Sequence, residues 1–100
     1  MKLGFLVNTD RHLTQLVGLT KAAVAKGHEV TIFAMDEGTR LLGNPRYTDL
    51  RHLPGVTMSL CRHSAEHLGV SIEGVPPEIT RGSQLQNATM QHAADRVVVL

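Results

Sequence analysis

Cys61 is the only cysteine in the chain. A thiol attacks as its thiolate, so its chemistry depends on what lowers its pKa. Cys61 falls between an apolar run, Val56 to Leu60, and a stretch of helical character, Arg62 to Leu68. A helix start offers free N–H groups and the positive end of a dipole, and both favour an anion. Arg62 and His63 add positive charge beside the sulfur. This pattern predicts a nucleophilic thiol. The alternative is a small buried hydrophobe, the usual part of a lone free cysteine.

Other residues could do chemistry near the same place. His63 and His67 stand four apart and share a helical face. With Cys61 or Glu66 they could offer nitrogen, sulfur and oxygen to a metal ion; the plainer alternative is two solvated histidines on a surface helix. Asn8, Thr9 and Asp10 follow the first apolar run as a turn and helix cap. They also stand where the end of a strand would line a pocket. His12 follows closely and could face Cys61. Asp36 and Glu37 are either paired acids for acid–base work or a solvated turn. The binding candidates are therefore Asn8, Thr9, Asp10, His12, Asp36, Arg62 and His63. His92 is expected on the inner face of the last helix. No G-x-G-x-x-G, G-K-[ST] or G-x-S-x-G motif is present, which speaks against dinucleotide, P-loop and serine-hydrolase sites. One cysteine rules out an intrachain disulfide and a C-x-x-C zinc knuckle. No cofactor is implied.

The elements that must position these residues follow from periodicity. Lys2 to Val7 reads as a buried strand. From Arg11 to Lys26, Leu13, Leu16, Val17, Thr20 and Val24 recur at helical spacing, and Gly27 follows as a C-cap. His28 to Met35 is a second strand with Val30, Thr31, Ile32 and Phe33 at its centre. Asp36-Glu37-Gly38 is a turn. Single helical turns are expected over Thr39 to Leu42 and Thr48 to Leu53, broken by Gly43-Asn44-Pro45 and Pro54-Gly55. Val56 to Leu60 is the third strand, and a short helix ends at Gly69. A loop to Pro77 leads to a brief strand, Ile79 to Arg81. Ser83 caps a helix to about Asp95 with Leu85, Ala88, Thr89 and His92 on one face, and Arg96 to Leu100 is a final strand. Strands alternating with helices, the strands apolar throughout, predict a parallel sheet covered by helices. In such sheets, sites gather at the carboxyl ends of the strands, where Asn8, Asp36 and Cys61 stand.

The bulk properties agree. The chain has 100 residues, 42% of them hydrophobic, with a net charge of +1. It reads as a single domain, 1–100. Charges of both signs are interspersed, so no nucleic-acid footprint or membrane-binding patch is expected. At 3% aromatic residues and no Trp, the core is expected to be aliphatic. The first apolar run is too short for a signal peptide or a membrane span, and a lone thiol suits a reducing cytosol, so the expected location is cytoplasmic. A sheet of this size with thin helices cannot cover all its faces and edges, which predicts self-association.

The chain resembles the DsrE/DsrF-like family, the group of the DsrE and TusD sulfur-relay subunits. The resemblance rests on the opening Lys2-Leu3-Gly4-Phe5-Leu6-Val7 and on Lys21 to Phe33 with its Gly27-His28-Glu29-Val30 turn. It rests also on Gly55-Val56-Thr57-Met58-Ser59-Leu60-Cys61, on Leu68-Gly69-Val70 and on the ending Ala94 to Leu100. It implies a three-layer α/β/α fold of flavodoxin- or Rossmann-like architecture, with five parallel strands. It implies a sulfur carrier or sulfurtransferase subunit holding sulfane sulfur as a persulfide on Cys61. It also implies sulfur donor and acceptor proteins as partners, and assembly as a homotrimer or homohexamer. The residues after the thiol, Arg62-His63-Ser64, depart from the small Gly/Ala-rich turn associated with the relay subunits. Two other readings stand beside it: a non-catalytic oligomeric binding or scaffold module, and a metal or small-ligand binder using His63 and His67.

Overall fold

The structure is a computed structural model describing residues 1–100. Its strands are β1 (Lys2–Val7), β2 (Glu29–Ala34), β3 (Val56–Cys61), β4 (Thr80–Gly82) and β5 (Arg96–Val99). Its helices are α1 (Leu13–Ala25), α2 (Pro45–Thr48), α3 (Arg62–His67) and α4 (Gln84–Ala93). Two 3-10 segments, Asp36–Gly43 and Asp49–His52, flank α2. Every strand pair is parallel, and the order is β4-β3-β2-β1-β5. This is the α/β fold with five parallel strands that the sequence predicts. The chain steps outward from β1 to β4, then crosses back to the opposite edge as β5. The strand limits differ from expectation by a residue or two: Cys61 ends β3 rather than following it, and β4 starts at Thr80.

Side chains alternate between the two faces of each strand. One face carries Phe5, Val7, Val30, Ile32, Ala34, Met58 and Leu60 in a core cluster of 16 buried residues. Helix α1 adds Leu13, Leu16 and Ala23, and the segment between β2 and β3 adds Leu41, Leu42, Tyr47 and Leu50. The other face holds a cluster of only 3 buried residues, Phe33, Cys61 and Met90, edged by Leu6, Met35 and Val97. The core is mainly aliphatic, as the composition predicts, but all three aromatic residues lie inside it. No helix is long and apolar enough to cross a membrane.

Of the expected stripe, α1 buries Leu13, Leu16 and Thr20 and half-buries Val17 and Val24, and Ala23 is buried beside them. Helix α4 does not. Its one fully buried residue is Met90, while His92 is exposed and Leu85 is 68% exposed. The cause is Gly4 in β1. A Cβ there would meet Met90 Cγ at 2.9 Å and Ala94 Cβ at 3.4 Å, so α4 settles into the space a side chain would fill. The apolar face expected to turn inward therefore looks outward. The start of α4 is as the sequence predicts. Leu85 N–H donates to Ser83 Oγ at 3.2 Å, and Ser83 N–H donates to Gln86 Oε1 at 2.6 Å, a capping box.

Three local features shape the carboxyl ends of the strands. Thr9 and Asp10 do not cap α1; His12 holds the N-cap position without a side-chain bond. Instead Thr9 Oγ1 donates to Leu100 O at 2.7 Å, tying the exit of β1 to the exit of β5. Gly38 lets the first 3-10 segment approach β1, since a Cβ there would lie 2.0 Å from Val7 O. Helix α3 closes in a Schellman motif. Gly69, at φ 69°, donates to Glu66 O at 3.1 Å, and Val70 donates to Ala65 O at 2.8 Å. The irregular loop that follows is held by Arg81, whose guanidinium donates to the carbonyls of Ile72, Val75, Pro76 and Ile79.

Candidate functional site

Cys61 is 3% exposed and faces the α4 side of the sheet, against Phe33 and Met90. Parallel pairing of Cys61 with Gly82 brings the start of α4 beside it. Gln84, the first residue of α4, reaches back and donates to Met35 Sδ at 3.7 Å. Cys61 stands at the N-cap position of α3 and makes no side-chain cap bond there. Its surroundings nevertheless favour the anion. Burial pushes the thiol up, but hydrogen bonding from the Ser64 hydroxyl and N–H, the Gln84 side chain and the His63 N–H outweighs it. The net effect holds Cys61 below the ordinary thiol value.

A polar cleft of about 500 Å³ opens where β1, β2 and β3 end. Asn8, Thr9 and Arg11 line it after β1, and Asp36 and Glu37 after β2. Its far wall is α3, with His63, Ser64 and His67, followed by Leu68. Asp36 adopts φ 48°, a left-handed conformation that Asp tolerates better than most residues. Its carbonyl accepts from Thr39 Oγ1 at 2.8 Å, which fixes the turn. Glu37 pairs with Arg40 at 3.7 Å. The imidazoles of His63 and His67 stack at 6.4 Å between centroids, 17° from parallel.

The sequence-derived candidates thus separate. Asn8, Thr9, Asp36 and His63 share the cleft. Asp10, His12 and Arg62 do not line it, and neither His12 nor Arg62 acts on the Cys61 sulfur. Cys61 itself lies behind the cleft wall, and Ser64 belongs to both places. His63 and His67 find no third partner: no three His, Cys, Asp or Glu side chains are grouped to hold a metal. Sequence reasoning missed Ser64, Gln84 and Arg11. Ser64 carried a signal, since the third residue after an N-cap turns its side chain back toward that cap. Gln84 carried none, because only the pairing of β3 with β4 brings it near.

The DsrE/DsrF-like family model matches residues 1–100. Among solved structures, the fold is similar to a conserved protein of unknown function, BT1422, from Bacteroides thetaiotaomicron. The TM-score is 0.76 at 15% identity, over 99% of this chain and 94% of that one. It is similar also to the ychN protein from E. coli, with a TM-score of 0.69 at 13% identity, over 99% of this chain and 97% of that one. No curated protein matches the chain.

Proposed function

From the premise that this chain belongs to the DsrE/DsrF-like family over its whole length, we propose that it is a sulfur carrier or sulfurtransferase subunit that holds sulfane sulfur as a persulfide on Cys61. The observation that carries this reading is the place of Cys61: it ends β3 at the N-cap of α3, beside the start of α4, with Ser64, His63 and Gln84 near its thiol. Ser64, His63 and Gln84 favour the thiolate even though the residue is 3% exposed. Thiolate is the attacking form in sulfur exchange. In the forward step the Cys61 thiolate attacks the outer sulfur of a donor persulfide. A new S–S bond forms at Sγ, the donor's own S–S bond breaks, and the donor leaves as thiolate. No outside oxidant is consumed. A partner thiol later takes the outer sulfur in the same way. One free thiol with no disulfide partner suits a reducing cytosol.

Incubation with a persulfide donor should raise the intact mass by one sulfur atom. Cys61→Ser should show no gain, and equal labelling of the two proteins would sink the reading.

A second reading is favoured by the packing of Cys61 against Phe33 and Met90: a scaffold in which the thiol is core and the assembly is the working unit. Reaction with a thiol reagent separates the two. Slow reaction that speeds only in denaturant supports the scaffold. Under either reading we propose self-association, through the exposed edge of β5 and the outer face of α4. Val99 is 59% exposed there, Val98 38% and Leu85 68%.

A further inference from the structure

We propose that the cleft at the strand ends binds a small zwitterion of the α-amino acid type, its carboxylate held by Arg11 and its ammonium by Asp36. Both charges line the same open cleft, and neither makes an ion pair within the chain. Glu37, the third charge, is already answered by Arg40. Two unanswered opposite charges in one cleft call for a ligand that carries both. A simple anion would meet Asp36 and Glu37, and a simple cation would meet Arg11. The cleft, at about 500 Å³, has the size of a small-molecule site, and its polar lining suits a charged occupant. Asp36 is held in place by a turn that Thr39 Oγ1 fixes and that Gly38 seats on Val7. The stacked rings of His63 and His67 offer a flat wall to the ligand's side chain.

The inference deepens the persulfide reading and, for its sulfur step, rests on it. Ser64 lines the cleft and stands three residues after Cys61, among the groups that hold its thiol down, so the two places share one residue. The donor class is then the persulfide of a zwitterionic thiol. The Cys61 thiolate attacks its outer sulfur, the Sγ–S bond forms, the donor's S–S bond breaks, and the zwitterion's own thiolate remains in the cleft to leave.

Titration calorimetry with S-methyl-L-cysteine, which keeps both charges and has no free thiol, tests the site. Wild type and Cys61→Ser should bind it equally. S-methylcysteamine, which lacks the carboxylate, and methylthiopropionate, which lacks the ammonium, should each bind about tenfold more weakly, the loss of one charged hydrogen bond. Arg11→Ala should weaken S-methylcysteine about tenfold and leave S-methylcysteamine unchanged. Asp36→Asn, which keeps a residue tolerant of the left-handed turn, should weaken S-methylcysteine equally and leave methylthiopropionate unchanged. No binding to wild type, or equal binding of all three compounds, overturns the inference. Persulfide loading of Cys61 from a protein donor without zwitterion binding overturns the inference alone. Zwitterion binding without any loading of Cys61 supports it and removes the persulfide reading instead.

Discussion

Cys61 combines two tendencies that normally oppose each other, burial and ionisation. The balance rests on few groups, and Ser64 contributes twice, through its hydroxyl and its N–H. Ser64→Ala removes the hydroxyl and leaves the backbone. The rate of Cys61 alkylation against pH should therefore shift its midpoint upward, while staying below that of the unfolded chain. The stability consequence has a definite sign. The folded thiol titrates below its unfolded value of about 8.5, so the unfolded state binds more protons between the two values. The stabilisation is complete above the unfolded value and is lost as pH falls through the folded one. Urea midpoints taken on either side of that interval should differ less in Ser64→Ala than in wild type. At this scale the sequence was half legible. A thiol after an apolar run with Arg62 and His63 beside it was visible in one line of text. The buried wall of Phe33 and Met90 was not, because it depends on which face of the sheet Cys61 takes.

Among the elements, the turns that frame the cleft differ in what they tolerate. Gly69 has a left-handed backbone but open space where a Cβ would go, so Gly69→Ala should cost about 1 kcal/mol through conformation alone. Gly38 is the reverse case: its φ is ordinary, but a Cβ would collide with Val7 O. Gly38→Ala should push the first 3-10 segment off β1 and cost more than Gly69→Ala, by several kcal/mol. Urea denaturation of both variants checks the order, and the reverse order would refute this account of the turns. The regular elements were legible because their periods are strong: β1, β2, β3 and α1 lie within a residue or two of expectation. Helix α4 was legible in extent and misread in orientation. Leu85 and Ala88 mark one apolar side and Met90 and Ala94 another, and only the notch at Gly4 chooses between them. The segment between β2 and β3 was expected as two separate turns. It is nearly continuous, because Asn44 Oδ1 accepts from Arg46 N–H at 3.0 Å and starts α2 directly after the first 3-10 segment.

For the whole molecule, the two edges of the sheet are unequal. β4 has 3 residues and is short enough to be a poor template, whereas β5 presents Val98 and Val99 to the outside. Sedimentation of the wild type should give a mass above that of the monomer, and Val99→Lys should move it toward the monomer. Because Val99 is exposed, its urea stability as a monomer should change by no more than about 0.5 kcal/mol. A wild-type monomer refutes the self-association. The uneven faces of the sheet also bear on how the molecule comes apart. The large cluster draws almost wholly on the chain up to Ile79, while the small one waits for α4 to return across the opposite face. Clusters this unequal predict that local opening is drawn from the smaller one, which hydrogen exchange would show as weaker protection in α4 than in β1 to β3. The packing around Cys61 and the larger core are thus held by different stretches of chain, and the titration of the thiol is what couples the one to the stability of the other.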